Sequence, residues 1–202
     1  MHGDRETTRN DLRKQLIQWR RDNEPNLSHG AARALRERLL HWLSRPSLGP
    51  AGVLGVYWPI HGEPDLRPCR EHWRSRGQTL ALPRVGADGV LEFGCWENDE
   101  ALRPDRFSIP VPDPFRPVVP DLLIVPCVGF DSRGYRLGYG GGHYDRTLSR
   151  HPVKTVGVAW DACELSDFAP GAHDRPLDVI VTESRVMPGV GGRSAEPDSP
   201  PG

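Results

Sequence analysis

Residues 121–148, DLLIVPCVGFDSRGYRLGYGGGHYDRTL, contain the pattern that decides the fold. The apolar run from Leu122 to Val125 is typical of a buried strand, and Pro126 ends it. Three consecutive glycines follow at 140–142, and the residues after them indicate a short helix. A buried strand that leads through a glycine-rich loop into a helix is a building unit of α/β proteins.

The rest of the chain repeats this alternation of strands and helices. Apolar residues at helical spacing predict helices over residues 4–22, 28–45 and 65–76. Short apolar runs predict strands at 53–58, 79–82, 91–96, 155–160 and 178–182. The pattern predicts a layered α/β fold with an N-terminal helical pair. Its central sheet should be mostly parallel or mixed and flanked by helices on both faces.

Two stretches are expected to lie outside the regular elements. Residues 103–120 are rich in proline, which excludes a helix or a central strand, so we expect an extended surface connection. The last residues, 188–202, have almost no apolar side chain to bury and are expected to be disordered. A chain of 202 residues suffices for one domain with a proper core, which we place at residues 1–187.

The composition excludes several classes of protein. The formal charge of −1 gives no global field that would attract nucleic acid. The longest apolar runs have about five residues, far below the roughly 20 that a membrane span requires. The polar N-terminus does not resemble a secretory signal. We therefore expect a cytoplasmic monomer whose partners are small molecules, with neither nucleic acid nor a membrane among them.

The cysteines indicate a reducing environment. Cys69, Cys95, Cys127 and Cys163 are widely spaced and form no Cys-x-x-Cys pair. A zinc ribbon or a dense disulfide framework would need closer spacing. We expect four reduced cysteines that pack as small core residues. The sequence also shows no arrangement typical of a serine or cysteine nucleophile, so covalent catalysis is not favoured.

The glycines at 140–142 also point to a ligand. Glycine leaves backbone N–H groups unobstructed, and the start of a helix adds a partial positive charge, so together they suit a phosphate group. Further donors could come from an arginine before the loop and from arginines along one line of the first helix: Arg5, Arg9, Arg13, Arg20 and Arg136. The segment lacks the Gly-Lys-Ser/Thr of a P-loop, and His143 stands where a dinucleotide fingerprint needs glycine. A mobile surface loop is the alternative.

Three carboxylates could act beside such a loop. Asp145, in the first turn of the following helix, and Asp174, before the last predicted strand, are candidate Mg²⁺ ligands beside phosphate oxygens. Glu63 follows the first strand, at the edge where parallel sheets bind ligands. A helix-end charge, a turn residue and a surface carboxylate are the respective structural alternatives. Trp58 and Tyr139 offer flat faces to an aromatic ligand, or pack as ordinary core or rim aromatics.

Two ordered segments, VPCVGFD at 125–131 and RLGYGGGHYDRTL at 136–148, resemble the 5-formyltetrahydrofolate cyclo-ligase family, also called 5,10-methenyltetrahydrofolate synthetases. The resemblance extends over about residues 8–184, with HDRPLDVIVT at 173–182 as weaker support. It implies an enzyme of reduced-folate metabolism that uses ATP as a co-substrate and Mg²⁺ as a cofactor.

The resemblance implies a role for each matching position. ATP-binding residues would be Arg9, Arg13, Arg136, Leu137, Gly138, Tyr139, Gly140, Gly141, Gly142, His143 and Tyr144. Substrate-binding residues would be Trp58, Glu63, Tyr139, Gly140, Gly141, Gly142 and His143. Asp145 and Asp174 would hold the metal, and Arg136 and Asp145 would be catalytic. Two positions depart from the family: Arg9 replaces a lysine, and His143 replaces a tyrosine or phenylalanine.

The implied reaction closes a ring. The formyl oxygen of 5-formyltetrahydrofolate attacks the γ-phosphorus of ATP and gives a phosphorylated formyl (iminophosphate) intermediate. N10 then adds to the activated carbon and phosphate leaves, so that 5,10-methenyltetrahydrofolate, ADP and phosphate are the products. Two alternatives stay open. One is an enzyme of the same fold that uses ATP on a different small molecule of cofactor metabolism, and the other is a non-catalytic nucleotide- or folate-binding module.

Overall fold

The computed structural model describes residues 8–48, 52–97, 101–166 and 169–191. Within these ranges the α-helices are α1 (Arg9–Asn26), α2 (Ala32–Leu43), α3 (Arg70–Ser75) and α4 (His143–Arg150). The strands are β1 (Val53–Gly55), β2 (Thr79–Val85), β3 (Leu91–Cys95), β4 (Ala101–Pro104), β5 (Pro110–Asp113), β6 (Pro117–Val118), β7 (Leu122–Pro126), β8 (Gly129–Phe130), β9 (Arg136–Leu137), β10 (Lys154–Val158), β11 (Val179–Val181) and β12 (Val186–Pro188).

The N-terminal helical pair is present, but its two members follow each other without a loop. α1 begins directly after Thr8, whose hydroxyl accepts the Asp11 N–H while the Asp11 carboxylate accepts the Thr8 N–H, each over 3.2 Å. A π-helical turn, Leu27–Ala31, joins α1 to α2. Pro25 lies just before this turn and has no N–H to donate, which interrupts the regular bonding. The predicted break between the two helices is therefore wrong.

One eight-stranded sheet organises the fold, in the order β12-β11-β10-β7-β1-β2-β3-β6. The five strands from β11 to β2 in this order are parallel, and β12, β3 and β6 are antiparallel at the two edges. Parallel neighbours need crossover connections. α3 supplies one between β1 and β2, and α4 supplies another between β7 and β10. The predicted mostly parallel or mixed sheet is confirmed.

Helices cover both faces of this sheet, as predicted. Alternate residues of the parallel strands point to opposite faces and enter two separate apolar clusters. One cluster includes Leu35 and Leu39 of α2 and Trp73 of α3. The other includes the partly buried Tyr144 and Leu148 of α4. The core is therefore divided into two layers, one on each face of the sheet.

The proline-rich segment contains strands that the sequence did not predict. It is extended, as expected, but β4 and β5 pair as an antiparallel hairpin and β6 joins the edge of the sheet beside β3. Hairpin and edge strands tolerate proline because one side of each needs no N–H for a neighbour. The Asp105 carboxylate accepts the N–H groups of Phe107 and Ile109 over 2.8 and 2.9 Å and closes the hairpin tip.

The chain stays bonded to the fold just past the predicted domain boundary. β12 ends at Pro188, and the N–H groups of Gly189 and Val190 donate to the carbonyls of Asp178 and Arg133, each over 2.8 Å. Residues 192–202 lie outside the described part of the chain. The disordered tail over 188–202 and the domain end at 187 stay predictions.

Two expectations from composition can be compared with the structure. The cysteines are free and buried, as predicted: Cys69, Cys95, Cys127 and Cys163. Among the helices that the structure describes, none combines the length and the apolar character that a membrane crossing demands.

Candidate active site

The glycine-rich loop lies between a short hairpin and α4. β8 and β9 pair as antiparallel strands, and β9 ends directly before the loop. Gly140 and Gly142 have φ angles of +99° and +65°, which residues with a Cβ rarely adopt, and Gly142 is the N-cap of α4. A Cβ on Gly141 would lie 2.6 Å from the His143 ring. The backbone path into α4 therefore favours glycine at 140 and 142, and a side chain at 141 would have to displace the His143 ring.

Arginines of α1 lie against this loop. Arg13 Nε donates to the Gly138 carbonyl over 2.6 Å, and the Arg13 guanidinium carbon is 3.6 Å from where a Cβ on Gly140 would be. Burial, together with the charge of neighbouring Arg9, lowers the pKa of Arg13. Two cations of the predicted arginine line thus create a positive region beside the loop. Arg5 lies outside the described residues.

An ion pair between a buried arginine and a partly exposed aspartate joins β9 to α4. Arg136 Nη2 donates to Asp145 Oδ1 over 2.8 Å, and Arg136 Nη1 donates to the Arg175 carbonyl over 2.9 Å. The Arg175 N–H donates to the same Asp145 oxygen over 3.0 Å. Arg136 is only 6% exposed, so these partners, and not solvent, orient its charge. The structure brings together the two residues predicted to be catalytic.

Asp174 connects the loop before β11 to α1. Its Oδ2 lies 2.9 Å from Arg9 Nη2 and accepts the Gly171 N–H over 2.8 Å. Asp174 is followed directly by Arg175, whose N–H binds Asp145. One short segment therefore holds both predicted metal ligands near the glycine-rich loop.

The two aspartates suit the ligand preference of Mg²⁺. In each, one carboxylate oxygen makes the contacts given above, and the other accepts no hydrogen bond from the described residues. Mg²⁺ typically binds through one or two carboxylates and completes its coordination with phosphate oxygens and water. Across the described ranges, no three His, Cys, Asp or Glu side chains form a group that could hold a metal. Phosphate oxygens of a substrate, together with water, would complete the coordination of a Mg²⁺ ion held by these two aspartates.

Two predicted ATP-binding side chains face the core instead of the loop. Leu137 is fully buried. Tyr144 packs against the apolar cluster that also contacts Leu148, and the Arg136 guanidinium carbon lies 5.7 Å from the centre of the Tyr144 ring. These residues can contribute to the loop through their backbone and by supporting Arg136, and their predicted contact with ATP stays a prediction.

A tyrosine joins Glu63 to the glycine-rich loop. Glu63 lies in the segment that follows β1, and its Oε1 accepts the Tyr139 hydroxyl over 3.0 Å while its Oε2 accepts the Ile60 N–H over 2.9 Å. Glu63 is 6% exposed, and burial raises its pKa to about 7 against the opposing effects of the Ile60 N–H, Arg20 and Tyr139. The carboxylate therefore changes its charge near neutral pH, at the point where two predicted substrate residues meet.

Trp58 lies in a separate cavity of about 380 Å³. Its ring makes an edge contact with Trp96 at a centroid distance of 6.1 Å, and the Arg67 guanidinium carbon lies 4.9 Å from its ring centre. The cavity is also lined by Asp65, Pro68, Arg70 and Leu102. The ring contacts of Trp58 thus involve this cavity, and its role as a substrate residue stays a prediction.

His143 connects the start of α4 to two segments that the sequence did not place at the site. Its Nδ1 lies 2.8 Å from the Gly89 carbonyl, and its ring centroid is 6.1 Å from that of Phe107 at the hairpin tip. Arg146 donates to the carbonyls of Gly89 and Gly141 over 3.2 and 2.6 Å. No sequence motif marks Gly89 or Phe107, which reach the site only through the tertiary fold.

Arg20 does not lie where we predicted. We expected the arginines that share one face of α1 to supply donors to a phosphate, as the positions of Arg9 and Arg13 allow. Arg20 lies seven residues beyond Arg13, about 10 Å further along the helix axis. It is fully buried and donates to the carbonyls of Cys127 and Val128. The helical spacing places these arginines on one face of α1, but Arg20 lies at the end of that face that is buried in the core.

Comparisons with known proteins identify the family of this chain. The model of the 5-formyltetrahydrofolate cyclo-ligase family matches residues 5–183. The 5-formyltetrahydrofolate cyclo-ligase of Escherichia coli K12 is 36% identical over 156 residues, which are 71% of this chain and 85% of the relative. The cyclo-ligase of Mycoplasma pneumoniae is 38% identical over 180 residues, which are 87% of this chain and 98% of the relative.

A solved structure shows the same fold. The 5,10-methenyltetrahydrofolate synthetase of Aquifex aeolicus matches with a TM-score of 0.75 and 31% sequence identity, over 93% of this chain and 96% of that one. The family match covers the helical pair, the parallel sheet and the glycine-rich loop together. The chain belongs to the 5-formyltetrahydrofolate cyclo-ligase family.

Proposed function

We propose that this protein converts 5-formyltetrahydrofolate to 5,10-methenyltetrahydrofolate, with ATP as co-substrate and Mg²⁺ as cofactor. The named activities of the relatives support the folate conversion. The arrangement of cations, glycines and carboxylates supports the use of ATP. The monomeric state and the cytoplasmic location belong to this proposal as predictions.

One contact supports the proposal more than any other: the hydrogen bond from the Tyr139 hydroxyl to Glu63 Oε1. Tyr139 belongs to the loop that suits a triphosphate, and Glu63 is a buried carboxylate that suits the N–H groups of a pterin. Phosphoryl transfer from ATP to a folate atom requires the two substrates to lie side by side. A hydrogen bond that joins the two binding regions is consistent with this requirement.

The proposed reaction needs positioning more than a nucleophile of the protein. The formyl oxygen forms a bond to the γ-phosphorus while the bond from that phosphorus to the bridging oxygen of ADP breaks. N10 then forms a bond to the formyl carbon and loses its proton. The bond from the carbon to the phosphorylated oxygen breaks, phosphate leaves, and the cationic methenyl product remains. Phosphorylation converts an oxygen that leaves poorly into one that leaves readily.

The residues of the chain have separable tasks in this scheme. Arg9 and Arg13 provide positive charge beside the loop, and the ion pair of Arg136 with Asp145 fixes the start of α4. Glu63 and Tyr139 bind and orient the folate. Asp145 and Asp174 would hold Mg²⁺, which when bound neutralises negative charge on the phosphates.

A spectrophotometric assay tests the proposal. The purified protein, ATP, Mg²⁺ and 5-formyltetrahydrofolate are expected to give the absorbance of the methenyl product, with one ADP released for each product formed. Omission of ATP or chelation of Mg²⁺ should abolish the signal. A protein that binds ATP but gives no product with folate would be a binding module. ADP release with another small molecule and not with this folate would support an enzyme of different specificity.

A further inference from the structure

Arg20 is a buried arginine that the proposed chemistry leaves unexplained. It has 0% of its surface exposed, and its Nη2 donates to the carbonyls of Cys127 and Val128, the latter over 3.0 Å. Its Nε and Nη1 make no hydrogen bond of normal geometry with the described residues. A buried charge is costly unless an opposite charge lies nearby. An acidic group near Arg20 should therefore offset the cost of burying its charge.

The segment that contains Glu63 packs directly against Arg20. Gly62 has a φ angle of +73°, and a Cβ at this position would lie 3.0 Å from the Arg20 Cβ, so glycine allows the close approach. The Gly62 carbonyl accepts the Trp160 indole N–H over 2.8 Å. The segment is thus fixed between α1 on one side and the turn after β10 on the other.

Arg20 is the buried cation among the titratable groups around Glu63. These groups come from α1, the segment after β1, the glycine-rich loop, α4 and the turn after β7: Arg20, Tyr57, His61, Tyr139, Tyr144 and Cys127. Partial or complete burial raises the pKa of Tyr57, Tyr139, Tyr144 and Cys127, so all four are neutral near pH 7. His61 is exposed.

The charge of Arg20 is itself stabilised by this environment. Burial alone would lower the pKa of Arg20, but the effects of Cys163, Tyr139 and Glu63 outweigh it and raise that pKa. Glu63, in turn, receives hydrogen bonds from two neutral donors, an N–H and a phenol. A carboxyl group buried with neutral donors alone tends to take up a proton near neutral pH.

We propose that Arg20 is a positioning residue that favours the ionised form of the Glu63 carboxylate and holds it in place, and so sets the pH range in which the enzyme binds its folate substrate. The inference rests on the proposed function, because it assigns the folate to Glu63. An ionised carboxylate accepts pterin N–H groups on both oxygens, whereas a protonated one has a hydroxyl that donates. Loss of the buried cation therefore weakens folate binding at neutral pH and spares it at high pH.

Two variants separate the charge of Arg20 from its hydrogen bonds. Arg20→Gln removes the charge and keeps a donor, while Arg20→Lys keeps the charge on a shorter side chain. We measure the KM for 5-formyltetrahydrofolate and for ATP between pH 6 and pH 9. In R20Q the folate KM should rise about tenfold at pH 7 and return toward the wild-type value at pH 9. R20K should stay within about threefold, and the ATP KM should change less than about twofold in both.

Two other causes of a raised folate KM in R20Q can be distinguished from the proposed one: damage to the fold, and titration of a neighbouring group other than Glu63. A folate KM raised equally at every pH, or raised together with the ATP KM, would show that Arg20 only supports the fold and would overturn the inference. His61→Gln is the control for the exposed histidine, whose ring lies 5.6 Å from that of Tyr139. The difference between R20Q and the wild type should persist in the H61Q background, and its disappearance there would assign the pH effect to His61.

A titration of Glu63 by NMR tests the inference without turnover. The side-chain carboxyl carbon is assigned with Glu63→Gln, and its midpoint should lie higher in R20Q than in the wild type. Equal midpoints overturn the inference, even if the wild-type protein gives no methenyl product and the proposed function fails. If R20Q does not fold, Arg20→Met is the second neutral variant: its midpoint should also lie above that of the wild type, and an unchanged midpoint contradicts the assignment.

Discussion

The two sides of the candidate site use charge in different ways. On the glycine-loop side, cations and carboxylates lie in direct contact, with Arg9 on Asp174 and Arg136 on Asp145. On the folate side, as we call the surroundings of Glu63 for their proposed substrate, neutral donors bind the carboxylate. The buried Arg20 makes no ion pair with it among the described residues. The first arrangement suits a multiply charged phosphate chain, and the second suits a ring that presents N–H groups.

This difference determines how each side responds to change. A paired arginine and aspartate can exchange partners when a phosphate or a cation arrives, because each group meets a new charge of the required sign. The isolated buried carboxylate has no such partner and responds to pH instead. Substitutions on the loop side should therefore affect ATP and the chemical step. Substitutions on the folate side should affect one substrate and depend on pH.

The largest effect should come from Asp145→Asn. Asparagine can still accept from Arg136 and Arg175 through its side-chain oxygen, so the fold should remain, but the negative charge for Mg²⁺ is lost. We expect kcat to fall at least about 100-fold, with an unchanged circular dichroism spectrum. Glu37→Gln is the matched control, since Glu37 also pairs with an arginine, Arg33, over 2.7 Å on the exposed face of α2. Activity within a few-fold of wild type in D145N would refute the metal assignment.

Glu63→Gln should have the next largest effect, and on one substrate. The amide cannot offer two acceptor oxygens to the folate, so we expect its KM to rise about 30-fold while the ATP KM stays within about twofold. The pH dependence of the folate KM near neutrality should disappear with the titrating group. Steady-state kinetics across pH measures both. Glu71→Gln, at an exposed carboxylate of α3, provides the comparison. A changed ATP KM with an unchanged folate KM would contradict the separation of the two sides.

Arg13→Met should have a smaller effect and on the opposite substrate. Methionine keeps the helix and much of the side-chain packing but removes the cation beside the loop and the bond to the Gly138 carbonyl. We expect the ATP KM to rise about tenfold with little change in the folate KM. Arg21→Met changes an exposed arginine of the same helix and should leave both constants unchanged. Equal losses for the two substrates would show that the loop serves both sides together.

The loop side could be predicted from sequence because its signals are local. The three glycines, the following helix and Asp145 lie within a few residues of one another, and the arginines of α1 recur at helical spacing. Backbone geometry confirms why glycine is needed there, since Gly140 and Gly142 have positive φ. The alternation of strands and helices likewise predicted the parallel sheet, because crossover connections follow from chain order.

The folate side could be predicted only in part, because burial depends on distant segments. Glu63 was found from its place after β1, yet its contact with Tyr139 and the charge of Arg20 depend on how α1 packs on the sheet. Helical periodicity placed Arg20 on the same face of α1 as Arg9 and Arg13, but it does not indicate which residues of that face are buried. The hairpin that brings Phe107 near His143 was missed for a related reason, because proline masks the strand signal.

The smallest effect concerns stability and follows from the same buried carboxylate. Burial raises the pKa of Glu63 from its ordinary 4.5 to about 7, so between these values the native state binds a proton that the unfolded chain has released. Stability should therefore fall as pH rises through this window, by about 1 kcal/mol between pH 6 and pH 7.5. Urea unfolding of the wild type and of Glu63→Gln measures the contribution as the difference between their pH slopes. Equal slopes would mean that Glu63 titrates no higher in the folded protein than in the unfolded chain. They would contradict the pH sensitivity that distinguishes the Glu63 region from the glycine-rich loop.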